Sequence, residues 1–153
     1  MSDQQPAADE LHFTRVFAAP RELVFRCMID PEHLSRFWGP AGVSAPIERI
    51  RVDARAGGLF ETVMVNDADG SEYPTRAIYL EVVEPERLVW RETHSGMTIS
   101  ATFTDLGDAR TEVRIHQTNV PETYRSPEAQ VGFLSSLDRF SGYLDYLGRR
   151  SEG

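Results

Sequence analysis

The chain has 153 residues, a hydrophobic content of 41% and a net charge of −8, which together predict one acidic globular domain. The negative charge disfavours nucleic acid and anionic membrane surfaces as partners. No apolar run approaches the about 20 residues of a membrane span, and the first residues lack the basic and apolar parts of a signal peptide. Because Cys27 is the single cysteine, an internal disulfide is excluded and a cytoplasmic location is expected.

The first part of the chain is predicted to contain a tail, one strand and two short helices. Residues 1–9 are polar and contain proline, which predicts a disordered tail, and residues 10–150 are predicted to form the single domain. A first strand is predicted at 11–17. Pro20 opens one short helix and Asp30 caps a second one, which fits helices placed at one edge of a sheet.

From residue 43 onward, the pattern changes to strands that are separated by short turns. Gly57 and Gly58 precede a strand and predict a bulge or a sharp bend, and the pair Asp69-Gly70 predicts a hairpin. The predicted strands are 47–53, 59–65, 73–83, 88–94, 98–104 and 111–118. Short connections between successive strands predict an antiparallel meander.

The C-terminal stretch at 124–149 carries apolar residues at helical spacing and predicts one long helix. Its predicted apolar face comprises Val131, Leu134, Leu137, Leu144 and Leu147, with Phe133, Phe140 and Tyr143 beside them. Ser126 is the predicted N-cap and Gly148 the predicted end. At about 1.5 Å per residue the helix would span on the order of 30 Å, so we predict that it lies across the antiparallel sheet.

Alternation along the strands predicts which side chains face this helix. Polar residues such as Arg91 and Arg114 mark the solvent face. The predicted inward set is Phe60, Thr62, Met64, Leu88, Trp90, Glu92, His94, Ile99, Ala101, Phe103, Val113, Ile115 and Gln117. The strand at 73–83 stays ambiguous, because both of its faces carry large apolar side chains.

Five segments of the chain together form a recognisable pattern. They are FAAPRELVF at 17–25, DPEHLSRFWGP at 30–40, GGLFE at 57–61, EVVEPERLVW at 81–90 and GFLSSLDRFSGYL at 132–144. This pattern resembles the START-like (SRPBCC) superfamily and, within it, the bacterial proteins similar to the activator of the heat-shock-protein-90 ATPase. The resemblance implies an α+β helix-grip fold. Such a fold has a curved antiparallel sheet of six or seven strands, two short helices after the first strand, and a long C-terminal helix over a hydrophobic cavity.

A cavity of this kind implies binding of a small molecule, although fold alone does not decide function. We predict the non-catalytic binding or carriage of a small hydrophobic molecule, aromatic or lipid-like. Two alternatives stay open: a protein-interaction module, such as a chaperone-ATPase activator-like regulator, and an enzyme of cyclase or hydrolase type. The candidate protein partners are a second copy of the chain, in a weak homodimer, and a chaperone.

The predicted ligand-binding residues lie where strands and helix would enclose a pocket, although large apolar side chains often simply fill a core. They are Trp38, Phe60, Met64, Tyr73, Tyr79, Trp90, Glu92, His94, Phe103 and Phe133. Glu92 and His94 form the inward-facing acid/base pair, but we expect them to be hydrated at the strand end, so no catalytic residue is assigned. The four histidines are far apart in sequence, so neither a metal nor a cofactor is expected.

Overall fold

The computed structural model describes residues 9–152. The predicted tail lies outside this range except for Asp9, whose carbonyl accepts a hydrogen bond from the Val120 N–H at 2.9 Å. In chain order, the elements are β1 Leu11–Phe17, α1 Arg21–Cys27, α2 Pro31–Phe37, β2 Val43–Ser44, a 3-10 helix Ile47–Arg49, β3 Arg51–Val52, β4 Leu59–Asn66, β5 Glu72–Val83, β6 Arg87–Glu92, β7 Thr98–Gly107, β8 Arg110–Thr118, a second 3-10 helix Glu122–Arg125 and α3 Pro127–Glu152.

The strands form one antiparallel sheet in the order β1-β8-β7-β6-β5-β4-β2, and β3 also pairs with β4. The predicted α+β helix-grip architecture is confirmed in its antiparallel sheet, its two short helices after the first strand and its long C-terminal helix. The described sheet has eight strands instead of six or seven, because the two-residue strands β2 and β3 both pair with β4. We call the face of the sheet that packs against the helices the inner face.

Alternation predicted the inner face correctly on β7, on β8 and on the part of β6 that ends at Trp90. The side chains predicted to face inward that are buried there are Leu88, Trp90, Ile99, Ala101, Phe103, Val113, Ile115 and Gln117. Period-two placement works on these strands because the described ladders between them run in continuous register across the buried part of the sheet.

A bulge in β5 decides the facing that the sequence left ambiguous. Tyr79 pairs with Trp90 and Glu81 pairs with Val89, so Leu80 is the extra residue between them. Tyr79 is buried, whereas Leu80 is 47% exposed. The bulge shifts the alternation by one residue. Core residues therefore lie on one face of the sequence pattern before Leu80 and on the other face after it.

The predicted strand at 47–53 is wrong, since the 3-10 helix and the short β3 replace it. Pro46 has a φ of −60° and has no N–H to donate to a ladder. Its carbonyl accepts the Arg49 N–H at 3.0 Å, which closes the first turn of the 3-10 helix. The segment therefore pairs with β4 only before and after this turn.

The predicted strand at 88–94 ends at Glu92, so the inward orientation predicted for His94 is wrong. The Gly96 N–H donates to the Glu92 carbonyl at 2.9 Å and closes a turn. Gly96 has a φ of +78°, a conformation that suits glycine. His94 lies in this turn and is exposed.

The cap of α3 is as predicted, but its end is not. The Ala129 N–H donates to Ser126 Oγ at 3.1 Å. Gly148 is helical and does not adopt the left-handed conformation that ends many helices, so α3 continues to Glu152.

The buried face of α3 also differs from the predicted one. Leu137, Phe140 and Leu144 are buried, whereas Val131 is 66% exposed and Leu134 is 40% exposed. At about 100° per residue, Leu134 and Val131 point about 90° and 150° away from the centre of the buried arc. Leu137 and Leu144 of the predicted stripe are therefore confirmed as core residues, and Phe140, which lies beside the stripe, completes the face that packs on the core.

Candidate functional site

Four of the predicted site residues form an aromatic cluster on the inner face. The aromatic cluster consists of Trp38, Phe60, Tyr79 and Trp90. The Phe60 ring lies at its centre, 5.4 Å from the Trp38 ring, 5.6 Å from the Tyr79 ring and 5.7 Å from the Trp90 ring between centroids. Tyr79 stacks on Phe60 with an interplanar angle of 8°, and both tryptophans meet Phe60 edge-on. Such offset and edge-on contacts are the favourable arrangements for aromatic rings.

Three neighbouring strands bring the sheet members of the cluster together. Phe60 lies on β4, Tyr79 on β5 and Trp90 on β6, and Tyr79 and Trp90 are direct partners in the β5–β6 ladder. Gly58 lies just before β4, where an added Cβ would come within 2.0 Å of the Asp53 carbonyl oxygen. The Gly58 carbonyl accepts the Tyr79 N–H at 2.9 Å. Because Gly58 has no Cβ, the Asp53 backbone can lie close to it while this hydrogen bond holds Tyr79 in place.

The fourth member, Trp38, is positioned from the helix side by the loop that follows α2. Arg139 of α3 anchors this loop. Its Nη1 atom donates to three backbone carbonyls, each 2.9 Å away: those of Gly39, Pro40 and Val43. Hydrogen bonds from a charged donor are stronger than neutral ones, so the guanidinium ties the loop and Trp38 firmly to α3.

The hydroxyl of Tyr79 is the distinctive polar atom of the aromatic cluster. The side chain is 1% exposed, and no described protein group forms a hydrogen bond with Oη. Burial raises the pKa of Tyr79 above its ordinary value, so the phenol stays neutral and keeps its proton. Tyr79 can therefore donate one hydrogen bond inside a cluster whose other members are a phenyl ring and two indoles.

Glu92 and His94 lie in a different place from the aromatic cluster. Both line a polar cleft of about 970 Å³. Among the described residues that line this cleft, none belongs to the aromatic cluster. Other residues of this polar cleft are Glu48, Arg49, Arg51, Arg76 and Tyr124. The structure thus divides the predicted site residues between an apolar and a charged environment.

The Glu92 carboxylate is partly buried beside the turn that contains His94. Burial raises the pKa of Glu92, while a hydrogen bond from Ser95 and the charge of His94 act in the opposite direction. The Ser95 hydroxyl donates to Glu92 Oε1 at 3.1 Å. Glu92 is therefore held by its own turn.

The other four predicted site residues make contacts with residues outside the aromatic cluster. Phe133 packs on Phe13 with centroids 4.6 Å apart, and Phe103 packs on Phe25 of α1 at 5.3 Å. Met64 lies beside the loop after α2, where its Sδ is 3.1 Å from the position of a Cβ on Gly39. Tyr73 is opposite Met64 in the β4–β5 ladder and is 48% exposed.

Sequence reasoning missed a further group of polar side chains. Pairing of β1 with β8 places His12 directly opposite His116, and Glu10 lies beside both. Their alternation toward solvent was visible in the sequence, but the pairing of the first strand with the last was needed to bring them together.

Comparison with known proteins identifies relatives of the chain. A family model described as Activator of Hsp90 ATPase homolog 1-like protein matches residues 18–145. The structure is similar to a protein from Chromobacterium violaceum, with 25% identity, a TM-score of 0.80, and 87% of this chain and 95% of that chain covered. A protein from Nitrosomonas europaea is similar at 25% identity and a TM-score of 0.79, with 95% and 99% covered.

The fold is also shared with an AHSA1-like protein from Aeromonas hydrophila, at 21% identity and a TM-score of 0.75, with 90% of this chain and 94% of that chain covered. A search of curated proteins finds no match. Within residues 9–152, no helix has both the length and the apolar character that crossing a membrane requires.

Proposed function

The chain belongs to the family of Activator of Hsp90 ATPase homolog 1-like proteins, and from this premise we propose that it binds a small, largely apolar molecule against the aromatic cluster, without catalysing a reaction, in the cytoplasm. The observation that carries the proposal is the buried Tyr79 hydroxyl, which has no partner among the described residues. A buried polar group without a partner costs about 1–3 kcal/mol, and such groups gather at functional sites.

The chemistry of the cluster restricts the class of molecule. Stacked and edge-on rings offer dispersion contacts to a flat apolar body, and the neutral phenol offers one hydrogen bond. The expected ligand is therefore a planar or lipid-like molecule that carries one uncharged acceptor, such as a carbonyl oxygen. Since neither partner is charged, its affinity should depend little on salt.

The placement of the ionisable groups supports binding without catalysis. Glu92 and His94 line the polar cleft. Arg76 of this cleft is already paired with Glu61, at 2.6 Å. Burial raises the pKa of Cys27 to about 12, so this thiol is not an activated nucleophile. Tyr79 is the one ionisable member of the aromatic cluster, and it is held neutral.

Tryptophan fluorescence tests the proposal, because Trp38 and Trp90 are the only tryptophans and both belong to the cluster. A library of neutral planar and lipid-like compounds should include members that change the emission saturably, with a dissociation constant that is unchanged by added salt. Trp90→Ala should weaken their binding, as followed by calorimetry. Because Trp90 is 7% exposed and its loss could unfold the protein, the half-buried Trp38→Ala is the second variant.

Tyr124→Ala is the matched control for this experiment. Tyr124 is a 49% exposed aromatic residue that lines the polar cleft and lies outside the aromatic cluster. Binding that survives Tyr124→Ala but is weakened by both tryptophan variants supports the proposal. Binding that is lost with Tyr124→Ala alone would place the ligand in the polar cleft, and a library without any saturable binder would contradict the proposal.

A second candidate function, a protein-interaction module, is favoured by the apolar residues on the solvent side of α3. Val131 is 66% exposed and Leu134, one turn later, is 40% exposed. Such a surface suits a weak homodimer or a chaperone partner. We expect sedimentation velocity at high micromolar concentration to show a monomer–dimer equilibrium that Val131→Ser with Leu134→Ser shifts toward monomer; a single monomer boundary in the unmodified protein would remove the homodimer.

A further inference from the structure

The outer face of the sheet carries a cluster of three potential metal ligands at its β1 edge. We call Glu10, His12 and His116 the histidine cluster. His12 and His116 are direct partners in the β1–β8 ladder, and their rings stack with centroids 4.2 Å apart and an interplanar angle of 10°. Glu10 Oε1 is 2.9 Å from His116 Nε2 and 3.9 Å from His12 Nε2.

We propose that the histidine cluster binds a divalent transition-metal ion of the zinc class. Two imidazoles and one carboxylate suit Zn²⁺, Co²⁺, Ni²⁺ or Cu²⁺, whereas Mg²⁺ and Ca²⁺ prefer oxygen ligands alone. This assignment replaces the sequence-based expectation that no metal is bound, which rested on the distance between the histidines along the chain.

The distances within the cluster are compatible with one ion. Tetrahedral zinc with ligands at about 2.0–2.1 Å requires ligand atoms about 3.3 Å apart. Here one ligand atom from each of the three residues lies within 4.8 Å of the other two, and the distances of 2.9 and 3.9 Å from Glu10 Oε1 to the two Nε2 atoms bracket the required value. Small rotations of exposed or half-exposed side chains on a rigid strand pair would complete the geometry.

The surroundings leave room for a fourth ligand. His12 and His116 line a depression of about 290 Å³ on the outer face, together with Arg87 and Arg114. Both arginines are already paired with acids: Arg114 Nε lies 2.9 Å from Glu112, and Arg87 Nε lies 3.2 Å from Glu81. Their paired charges oppose a cation less than free arginines would, and three protein ligands leave one coordination position open to water or a small anion.

Direct metal titration tests the site. Protein without a polyhistidine tag is treated with a chelator, dialysed, and titrated with Zn²⁺ by calorimetry and with Co²⁺ by visible absorption. The expected result is one ion per chain, with d–d absorption of Co²⁺ that indicates four-coordination, and a rise in the melting temperature with added Zn²⁺.

Variants of each ligand decide the assignment. His116→Ala, His12→Ala and Glu10→Gln should each weaken Zn²⁺ binding at least tenfold, whereas His94→Ala, which removes an exposed histidine outside the cluster, should leave the stoichiometry and affinity unchanged. The three ligands are at the surface, so the variants are expected to fold, and far-UV circular dichroism checks this. Absence of saturable binding in the unmodified protein would overturn the proposal and leave only a surface hydrogen-bonded cluster. The same conclusion would follow if His116→Ala and His12→Ala bound Zn²⁺ as tightly as the unmodified protein.

Discussion

Leu144→Ala is expected to lower the free energy of unfolding by about 2–5 kcal/mol. Leu144 is 1% exposed and lies on the core face of α3 with Phe140. Truncation removes buried methyl groups and leaves a cavity that the surrounding rings cannot fill completely. Since a domain of this size is stable by about 5–15 kcal/mol, this single change removes a large share of the total. A urea titration followed by circular dichroism measures the effect.

Leu134→Ala is the matched control on the same helix. The chemical change is identical, and alanine favours a helix at both positions, but Leu134 is 40% exposed. Its replacement should cost less than about 1 kcal/mol. Equal losses for the two variants would show that the packing face of α3 lies between them, and a loss below about 1 kcal/mol for Leu144→Ala would contradict the assigned core face.

The inner face of the sheet could be predicted from the sequence because alternation is a local property of a strand. On β6 and β7, the pattern of large apolar residues between polar ones placed Trp90 and Phe103 correctly toward the core. Alternation does not say where along the sheet a residue lies. Phe103 therefore meets Phe25 of α1, while Trp90 meets Phe60, and only one of the two belongs to the aromatic cluster.

The features that could not be predicted depend on contacts between distant segments. The helical period of α3 is clear, but apolar residues occur on more than one side, and only packing on the sheet selects Leu144 over Val131. The bulge at Leu80 changes parity without a glycine or proline to mark it. Likewise, the histidine cluster exists because β1 and β8, about a hundred residues apart, are neighbours in the sheet.

Tyr79→Phe is expected to stabilise the ligand-free protein by up to about 1–3 kcal/mol, since it removes a buried hydroxyl without a protein partner and keeps the ring that stacks on Phe60. Stability and binding should therefore change in opposite directions. For a ligand that receives the phenol hydrogen bond, a loss of about 1–3 kcal/mol corresponds to an affinity about 5- to 150-fold lower. Urea titration and the fluorescence assay measure the two effects on the same variant.

Tyr143→Phe is the control for the stability half of this prediction. The Tyr143 hydroxyl lies 2.6 Å from His33 Nδ1, so its removal breaks an existing hydrogen bond. That variant should lose about 0.5–1.5 kcal/mol, the opposite sign to Tyr79→Phe. If Tyr79→Phe also loses more than about 1 kcal/mol, the Tyr79 hydroxyl has a partner in the free protein, and the argument for a ligand acceptor fails.

The pH dependence provides an independent check on the environment of Tyr79. Burial raises the pKa of Tyr79 in the folded protein, whereas in the unfolded chain it ionises near its ordinary value of about 10. Above pH of about 10, the unfolded chain releases this proton and the folded protein keeps it, so the free energy of unfolding falls as the pH rises. Phenylalanine cannot ionise, so the stability of Tyr79→Phe should fall less steeply above pH of about 10 than that of the unmodified protein. Equal slopes for the two proteins would mean that Tyr79 is hydrated, and the aromatic cluster would then lack the dry, neutral donor on which the proposed recognition of a ligand depends.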